Sequence, residues 1–132
     1  MPDPLPRLRR LCLRLPHSVE REAWGSPTFR VERGKMFAMY ASAAQPNGRG
    51  RPQVWVNCSK VDQEFLVAEF PSRHFVPPYV GPSGWVGVWL DGKVDWTALS
   101  ALLADGWRRA APKAVLVAHD ATAPTPRTSR RR

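Results

Sequence analysis

The fold is decided by the segment Thr28-Phe29-Arg30-Val31-Glu32-Arg33-Gly34-Lys35-Met36-Phe37-Ala38-Met39-Tyr40-Ala41. Two β-rich runs, residues 28–32 and 35–41, meet across Arg33-Gly34, a pattern typical of a β-hairpin. Further on, residues 53–58 alternate: Val54, Val56 and Cys58 share one face of the chain, and Trp55 and Asn57 share the other. This alternation predicts a third strand with one face on the core. The three segments together predict an antiparallel meander.

Helical patterns flank the meander. Leucines recur at helical spacing over residues 4–15, which predicts an amphipathic helix that ends before Pro16. After the third strand, Ser59 is a suitable N-cap for a helix over residues 60–70. Its predicted apolar face consists of Val61, Phe65 and Ala68.

The second half of the chain continues this arrangement. Residues 71–84 are rich in Pro and Gly and predict an irregular crossing loop. Residues 85–90 alternate as a fourth strand, and Asp95 caps a last helix that Pro112 closes. The order α-β-β-β-α-β-α predicts the α+β class: a two-layer domain with an antiparallel sheet and helices packed on one face.

Length and composition are those of one globular domain. The chain has 132 residues, and none of its apolar runs approaches the roughly 18 residues of a membrane span. We expect the domain to cover residues 1–118. Residues 119–132 are rich in Thr, Pro and Arg and lack periodicity, so they are predicted to be a disordered Arg-rich tail.

Charge and cysteine content indicate the cellular compartment in which the protein is expected. The net charge is +9, with 16 of the 20 basic residues being Arg. Cys12 and Cys58 form no CxxC pair and are predicted to be buried thiols in a reducing compartment. The N-terminal segment has no apolar core long enough for a signal peptide. We therefore expect a cytoplasmic protein that does not bind membranes.

Motifs for catalysis are not found in the sequence. It contains no HExxH, GxSxG or Walker motif, and its three histidines lie in separate segments without ligand spacing. Its carboxylates show no pairing for acid–base chemistry. We therefore expect a non-enzymatic protein without a metal or other cofactor, and we expect a monomer.

Basic side chains are predicted at several loop tips, close to aromatic residues. They are Arg33 and Lys35 on the hairpin, Arg49 and Arg51 on the Gly-rich loop, and Arg73 with His74 at the start of the Pro-rich loop. Such groups can contact phosphates, while the predicted outward-facing Trp55, Trp85 and Trp89 could stack on bases. Two alternatives stay open: the basic tips are ordinary solvated positions, or Trp85 and Trp89 face a tail or a second subunit.

A set of short segments resembles the MmcQ/YjbR family in order over roughly residues 5–118. The segments are Leu15-Pro16-His17-Ser18, Trp24-Gly25-Ser26-Pro27-Thr28-Phe29-Arg30-Val31, Gly34-Lys35-Met36-Phe37-Ala38, Pro71-Ser72-Arg73-His74-Phe75, Gly84-Trp85-Val86 and Asp95-Trp96. The resemblance implies a CyaY-like α+β fold and a DNA-binding protein with a double wing of hairpin loops. Frataxins share that fold and bind iron through an acidic first helix, whereas the first helix here carries four Arg and no acid.

Two functional hypotheses follow. In the first, the wings are the hairpin around Arg33-Gly34-Lys35 and the loop around Asn47-Gly48-Arg49-Gly50-Arg51, which converge as a cationic clamp on duplex DNA. In the second, the protein is a binding module for a small molecule or a protein. That module would use an exposed surface formed by Trp55, Trp85, Trp89, His74 and Tyr79.

Overall fold

The computed structural model describes residues 3–45 and 50–122 of the chain. Its helices are α1 (Leu5–Leu13), α2 (Lys60–Glu69), α3 (Trp96–Ala110) and α4 (Lys113–Thr122). Its strands are β1 (Ser18–Ala23), β2 (Ser26–Val31), β3 (Met36–Ala41), β4 (Gln53–Val56), β5 (His74–Phe75) and β6 (Val86–Trp89). A 3₁₀ turn, Gly81–Ser83, precedes β6.

These strands form one six-stranded sheet in the order β1-β2-β3-β4-β6-β5, with every neighbouring pair antiparallel. The predicted α+β class and antiparallel sheet are confirmed. The sequence pattern did not predict β1 and β5. Strand β1 reads Ser-Val-Glu-Arg-Glu-Ala and lies half-buried at a sheet edge, where backbone pairing rather than an apolar face holds it. Strand β5 has only two residues and lies at the opposite edge.

One face of the sheet carries the main core. Helices α1 and α3 contribute Leu8, Cys12, Leu99, Leu103 and Trp107, which pack against the strand residues Phe29, Val31, Phe37, Val54, Val56, Val86 and Val88. The indole N–H of Trp107 donates to the carbonyl of Pro16 at 2.8 Å, which ties α3 to the segment after α1. Both cysteines are buried free thiols, as predicted.

The opposite face of the sheet is covered by a second apolar cluster. Met39, Trp55 and Trp85 form its centre, and the partly buried Phe75 and Val80 from the Pro-rich segment pack against them. Trp55 and Trp85 are only 2% and 7% exposed, so the prediction that they face outward and stack on bases is wrong. Alternation showed correctly which face they occupy, but it carries no information about what covers that face.

Helix α2 is oriented differently from the prediction. Its buried residue is Gln63, while Leu66 and Val67 pack on the main core. The side-chain amide of Gln63 donates to the carbonyls of Gly81 and Trp85 at 2.8 and 2.6 Å. These bonds hold α2 against the Pro-rich segment and leave Val61, Phe65 and Ala68 exposed.

The predicted helix caps are confirmed. The hydroxyl of Ser59 accepts from the backbone N–H of Asp62 at 3.1 Å, and a carboxylate oxygen of Asp95 accepts from that of Ala98 at 3.0 Å. At the C-terminal end, α4 continues four residues beyond position 118, where the tail was expected to begin. The rest of the predicted tail, residues 123–132, lies outside the described residues. Over residues 3–45 and 50–122, no helix has the length and apolarity to cross a membrane.

His74 in β5 is half-buried, and its Nδ1 lies 3.1 Å from the carbonyl oxygen of Phe70. Burial lowers the pKa of His74, and the neighbouring charge of Arg73 also lowers it, while the Phe70 carbonyl opposes this shift. The folded protein therefore favours the neutral imidazole.

Replacing Gln63 with Leu is expected to lower the free energy of unfolding by about 1–3 kcal/mol, because two buried carbonyls are deprived of a donor. Urea denaturation measures the change. Glu64→Leu, at the adjacent exposed position of α2, is the control and should shift stability by no more than about 0.5 kcal/mol. Equal effects of both substitutions would contradict the role assigned to Gln63.

The lowered pKa of His74 predicts a pH dependence of stability. Above the unfolded-state pKa of His, both states are neutral and the full stability is present. As the pH falls below that value, the unfolded chain takes up the proton first, so the folded state becomes less stable. His74→Gln should make the free energy of unfolding less dependent on pH just below neutrality. An NMR titration midpoint for His74 above that of a His in an unfolded peptide would refute this.

Candidate nucleic-acid interface

The two predicted wings lie at opposite ends of β3. The Arg33-Gly34-Lys35 turn immediately precedes this strand, and the Gly-rich loop follows it. Six residues of extended chain span about 20 Å. The turn and the loop therefore do not converge as one clamp, and Arg49 lies outside the described residues.

Gln45, which precedes the Gly-rich loop, contacts the turn between β1 and β2. The side-chain amide of Gln45 donates to the carbonyl of Gly25 and to the hydroxyl of Ser26, at 2.6 and 2.7 Å. This turn displays Trp24, which is 82% exposed and has a left-handed backbone conformation with φ of 53°. The sequence pattern indicated only a turn at Trp24 and gave this side chain no role.

Arg51 is neutralised by an internal carboxylate. Its Nε and one terminal nitrogen donate to the two oxygens of Asp91 at 2.7 and 2.8 Å. This interaction raises the pKa of Arg51 and lowers the pKa of Asp91. The guanidinium carbon also lies 3.9 Å from the centre of the Trp89 ring, and Phe75 stacks on Trp89 at 4.2 Å. Arg51 is therefore engaged by Asp91, and Trp89 contacts both Arg51 and Phe75.

Arg73 and His74 belong to a different surface. Arg73 lies 3.7 Å from Asp95, and its guanidinium carbon is 5.9 Å from the centre of the Phe70 ring. Both Arg73 and His74 line a groove between α2 and α3. Tyr79 is exposed on the Pro-rich segment, whereas Trp55 and Trp85 are buried. The aromatic surface of the second hypothesis is therefore not formed by the residues predicted for it.

The β2–β3 turn packs on the junction of α3 and α4. The backbone N–H of Lys35 donates to the carbonyl of Ala110 at 3.0 Å. A Cβ atom at Gly34 would lie 2.5 Å from that carbonyl oxygen and 2.9 Å from Cδ of Pro112, so glycine is needed for this approach. Arg109 precedes Ala110 in the sequence and Lys113 follows Pro112, so both basic residues are sequence neighbours of the residues that the turn contacts.

We call Arg33, Lys35, Arg109 and Lys113 the turn patch. All four side chains are exposed, and none forms a salt bridge with any residue in 3–45 or 50–122. Arg109 donates to the side-chain oxygen of Asn57 at 3.4 Å and keeps its charge. Glu32 is the carboxylate adjacent in sequence to Arg33.

Sequence reasoning found half of the turn patch. Arg109 and Lys113 were missed because basic residues near helix ends are common and indicate no particular partner. Their neighbours Arg33 and Lys35 are more than seventy residues away along the chain. Arg108, next to Arg109, differs from the residues of the turn patch. Its guanidinium is paired with Asp120 through two hydrogen bonds of 3.1 and 2.9 Å.

Metal binding finds no support in the described part of the chain. It contains no group of three or more His, Cys, Asp or Glu side chains placed to hold a metal ion. The turn patch and the groove between α2 and α3 are two candidate sites in the described residues.

Comparison with known proteins gives a family and a fold. No curated protein matches the chain. A solved structure, that of the Deinococcus radiodurans protein DR2400 with the family-model domain DUF419, is similar with a TM-score of 0.66. It is 24% identical, and the match covers 78% of this chain and 75% of that one, which shows a shared fold. The YjbR family model matches residues 13–109, about three quarters of the sequence. The chain therefore belongs to the YjbR family.

Proposed function

We propose that this protein binds double-stranded DNA through its phosphate backbone, using the turn patch. The observation that carries the proposal is the packing of the β2–β3 turn on the α3–α4 junction. Two exposed cations in the turn and two next to the residues it contacts come from distant parts of the chain, and we infer that they act as one surface. Their charges are not neutralised by carboxylates of the described residues.

The chemistry of the patch suits phosphates. Lys and Arg that neutralise phosphates release condensed counterions, and this release supplies sequence-independent affinity. The net charge of +9 supports the same conclusion, since it favours encounter with a polyanion. The proposed contacts are with phosphates, and no helix or strand is proposed to enter a groove of the DNA. Such contacts position the protein without distinguishing one base sequence from another.

The proposal differs from the clamp expected from the sequence. Arg33 and Lys35 remain in it, and Arg109 and Lys113 replace Arg51 and Arg73, whose charges are paired with Asp91 and Asp95. The proposed role is binding without catalysis, a metal or another cofactor, by a monomer in the cytoplasm.

Measurement of duplex affinity against salt concentration tests the proposal. Four phosphate contacts predict that log affinity falls with log salt with a slope of about −3.6, because each contact contributes about −0.9. The double variant Arg33→Ala/Lys35→Ala should make the slope shallower by about 1.8. Near 0.1 M salt, removing one phosphate-binding cation is expected to weaken duplex binding about eightfold.

Matched controls are available at the other end of the sheet. Lys93→Ala removes an exposed cation in the segment between β6 and α3. Arg51→Ala removes a cation that is paired with Asp91. Neither substitution should change the slope of log affinity against log salt. Truncation after residue 122 removes the four arginines of the C-terminal tail. Loss of binding on truncation, with no effect of the turn-patch variants, would refute the proposal and assign binding to the tail.

A further inference from the structure

Helix α2 presents apolar side chains to solvent. Val61 and Phe65 in the helix and Phe70 just after it are 74%, 57% and 44% exposed. Because Gln63 is held by two buried hydrogen bonds, the helix cannot rotate these side chains into the core without breaking them. Clustered exposed aromatic and branched side chains are typical of a recognition surface.

This apolar side borders the groove between α2 and α3. The two helices run antiparallel, because Arg109 at the end of α3 contacts Asn57 just before α2, and Arg73 just after α2 contacts Asp95 at the start of α3. The groove has a volume of about 700 Å³. Apolar side chains from both helices and from β6 line it: Phe65, Leu66, Phe70, Val88, Leu99 and Leu102.

The length of the groove suits a short helical segment. From Asp62 to Phe70, α2 rises about 12 Å, which is slightly more than two turns of a facing helix. A helix laid in such a groove is anchored by apolar residues spaced three and four apart along one face.

The charged residues that line the groove include the basic Arg73 and Lys93, but carboxylates are more numerous. Four aspartates line it, Asp62, Asp91, Asp95 and Asp105, and α2 carries Glu64 and Glu69 as well. These are six of the 11 acidic residues of the chain. Asp91 and Asp95 are engaged by Arg51 and Arg73, whereas Asp62 and Asp105 form no salt bridge with the described residues.

We infer that this groove binds a basic amphipathic helix of a partner protein. The apolar face of that helix would fill the space between Phe65, Leu66 and Leu102, and its Lys or Arg residues would pair with Asp62 and Asp105. Its recognition therefore combines apolar burial with charge complementarity.

Charge decides against two other occupants. Helix α2 carries Lys60 against three acidic residues, so pairing it with a second copy of itself would bring like charges together. Nucleic acid would place phosphates against the carboxylates of Asp62 and Asp105. The groove and the turn patch share none of their lining residues, so the two proposals can fail independently.

A labelled synthetic Leu/Lys amphipathic helix of about four turns is the probe, and fluorescence polarisation with the full chain is the measurement. Phe65→Ser is expected to weaken binding about tenfold or more. Asp62→Asn/Asp105→Asn should also weaken binding and reduce its dependence on salt. Both Phe65 and the two aspartates are exposed, and circular dichroism checks that the variants remain folded.

Control substitutions change the same types of residue elsewhere. Val117→Ser removes an exposed apolar side chain from α4, and Glu22→Gln removes an exposed carboxylate from β1; both should bind the probe like the unmodified protein. A peptide of the same composition with its residues reordered to abolish the apolar face should bind at least about tenfold more weakly.

Three results would overturn the inference. The reordered peptide could bind as well as the probe, or the Phe65 and Asp variants could bind it unchanged. Alternatively, the hydrophobic cation tetraphenylphosphonium could bind in a Phe65-dependent manner while the peptide does not, which would assign the groove to small molecules. Binding of duplex DNA by the groove variants is measured in parallel and is expected to be unchanged. The two measurements together show whether the groove inference or the proposed DNA binding has failed.

Discussion

The direction and length of β3 determine which charged groups of this protein can act together. The strand lies inside the antiparallel sheet, and its six residues separate the turn before it from the loop after it by about 20 Å. Side chains that are close in sequence are thereby distributed to opposite ends of the molecule. At one end the β2–β3 turn meets the α3–α4 junction, and at the other Gln45, after β3, meets the β1–β2 turn.

Helix α3, in the second layer of the domain, also contributes charged residues to two different surfaces. Its C-terminal end contributes Arg109 to the turn patch, while its middle and start contribute Asp105 and Asp95 to the groove. The result is a cationic surface and an acid-rimmed apolar groove beside each other on one domain. Of the two proposed partners, a polyanion has the charge opposite to that of the turn patch, and a basic helix has the charge opposite to that of Asp62 and Asp105.

Much of the fold could be predicted from local pattern. The β2–β3 hairpin and the caps Ser59 and Asp95 depend on residues a few positions apart. Trp55 and Trp85 could not be assigned correctly, because their burial depends on how the Pro-rich segment crosses the sheet. The apolar periodicity of α2 predicts the wrong buried side. Hydrogen bonding by Gln63 determines which side of the helix faces inward.

The candidate site was predictable only in part, for a similar reason. Arg33 and Lys35 are exposed turn residues, as expected from a hairpin. Whether a cation is free, however, depends on partners far along the chain: Arg51 meets Asp91 forty residues later, and Arg73 meets Asp95. Spacing within a segment cannot reveal such pairs, nor can it place Arg109 and Lys113 beside the turn.

Mapping of backbone amide chemical shifts in ¹⁵N-labelled protein during titration with a short DNA duplex tests whether the turn patch is the DNA-binding surface. The largest changes are expected at residues 33–35 and 109–113, with little change at residues 24–25 and 91–93 at the opposite end of β3. Changes concentrated at residues 24–25 and 91–93, with residues 33–35 and 109–113 unaffected, would contradict it.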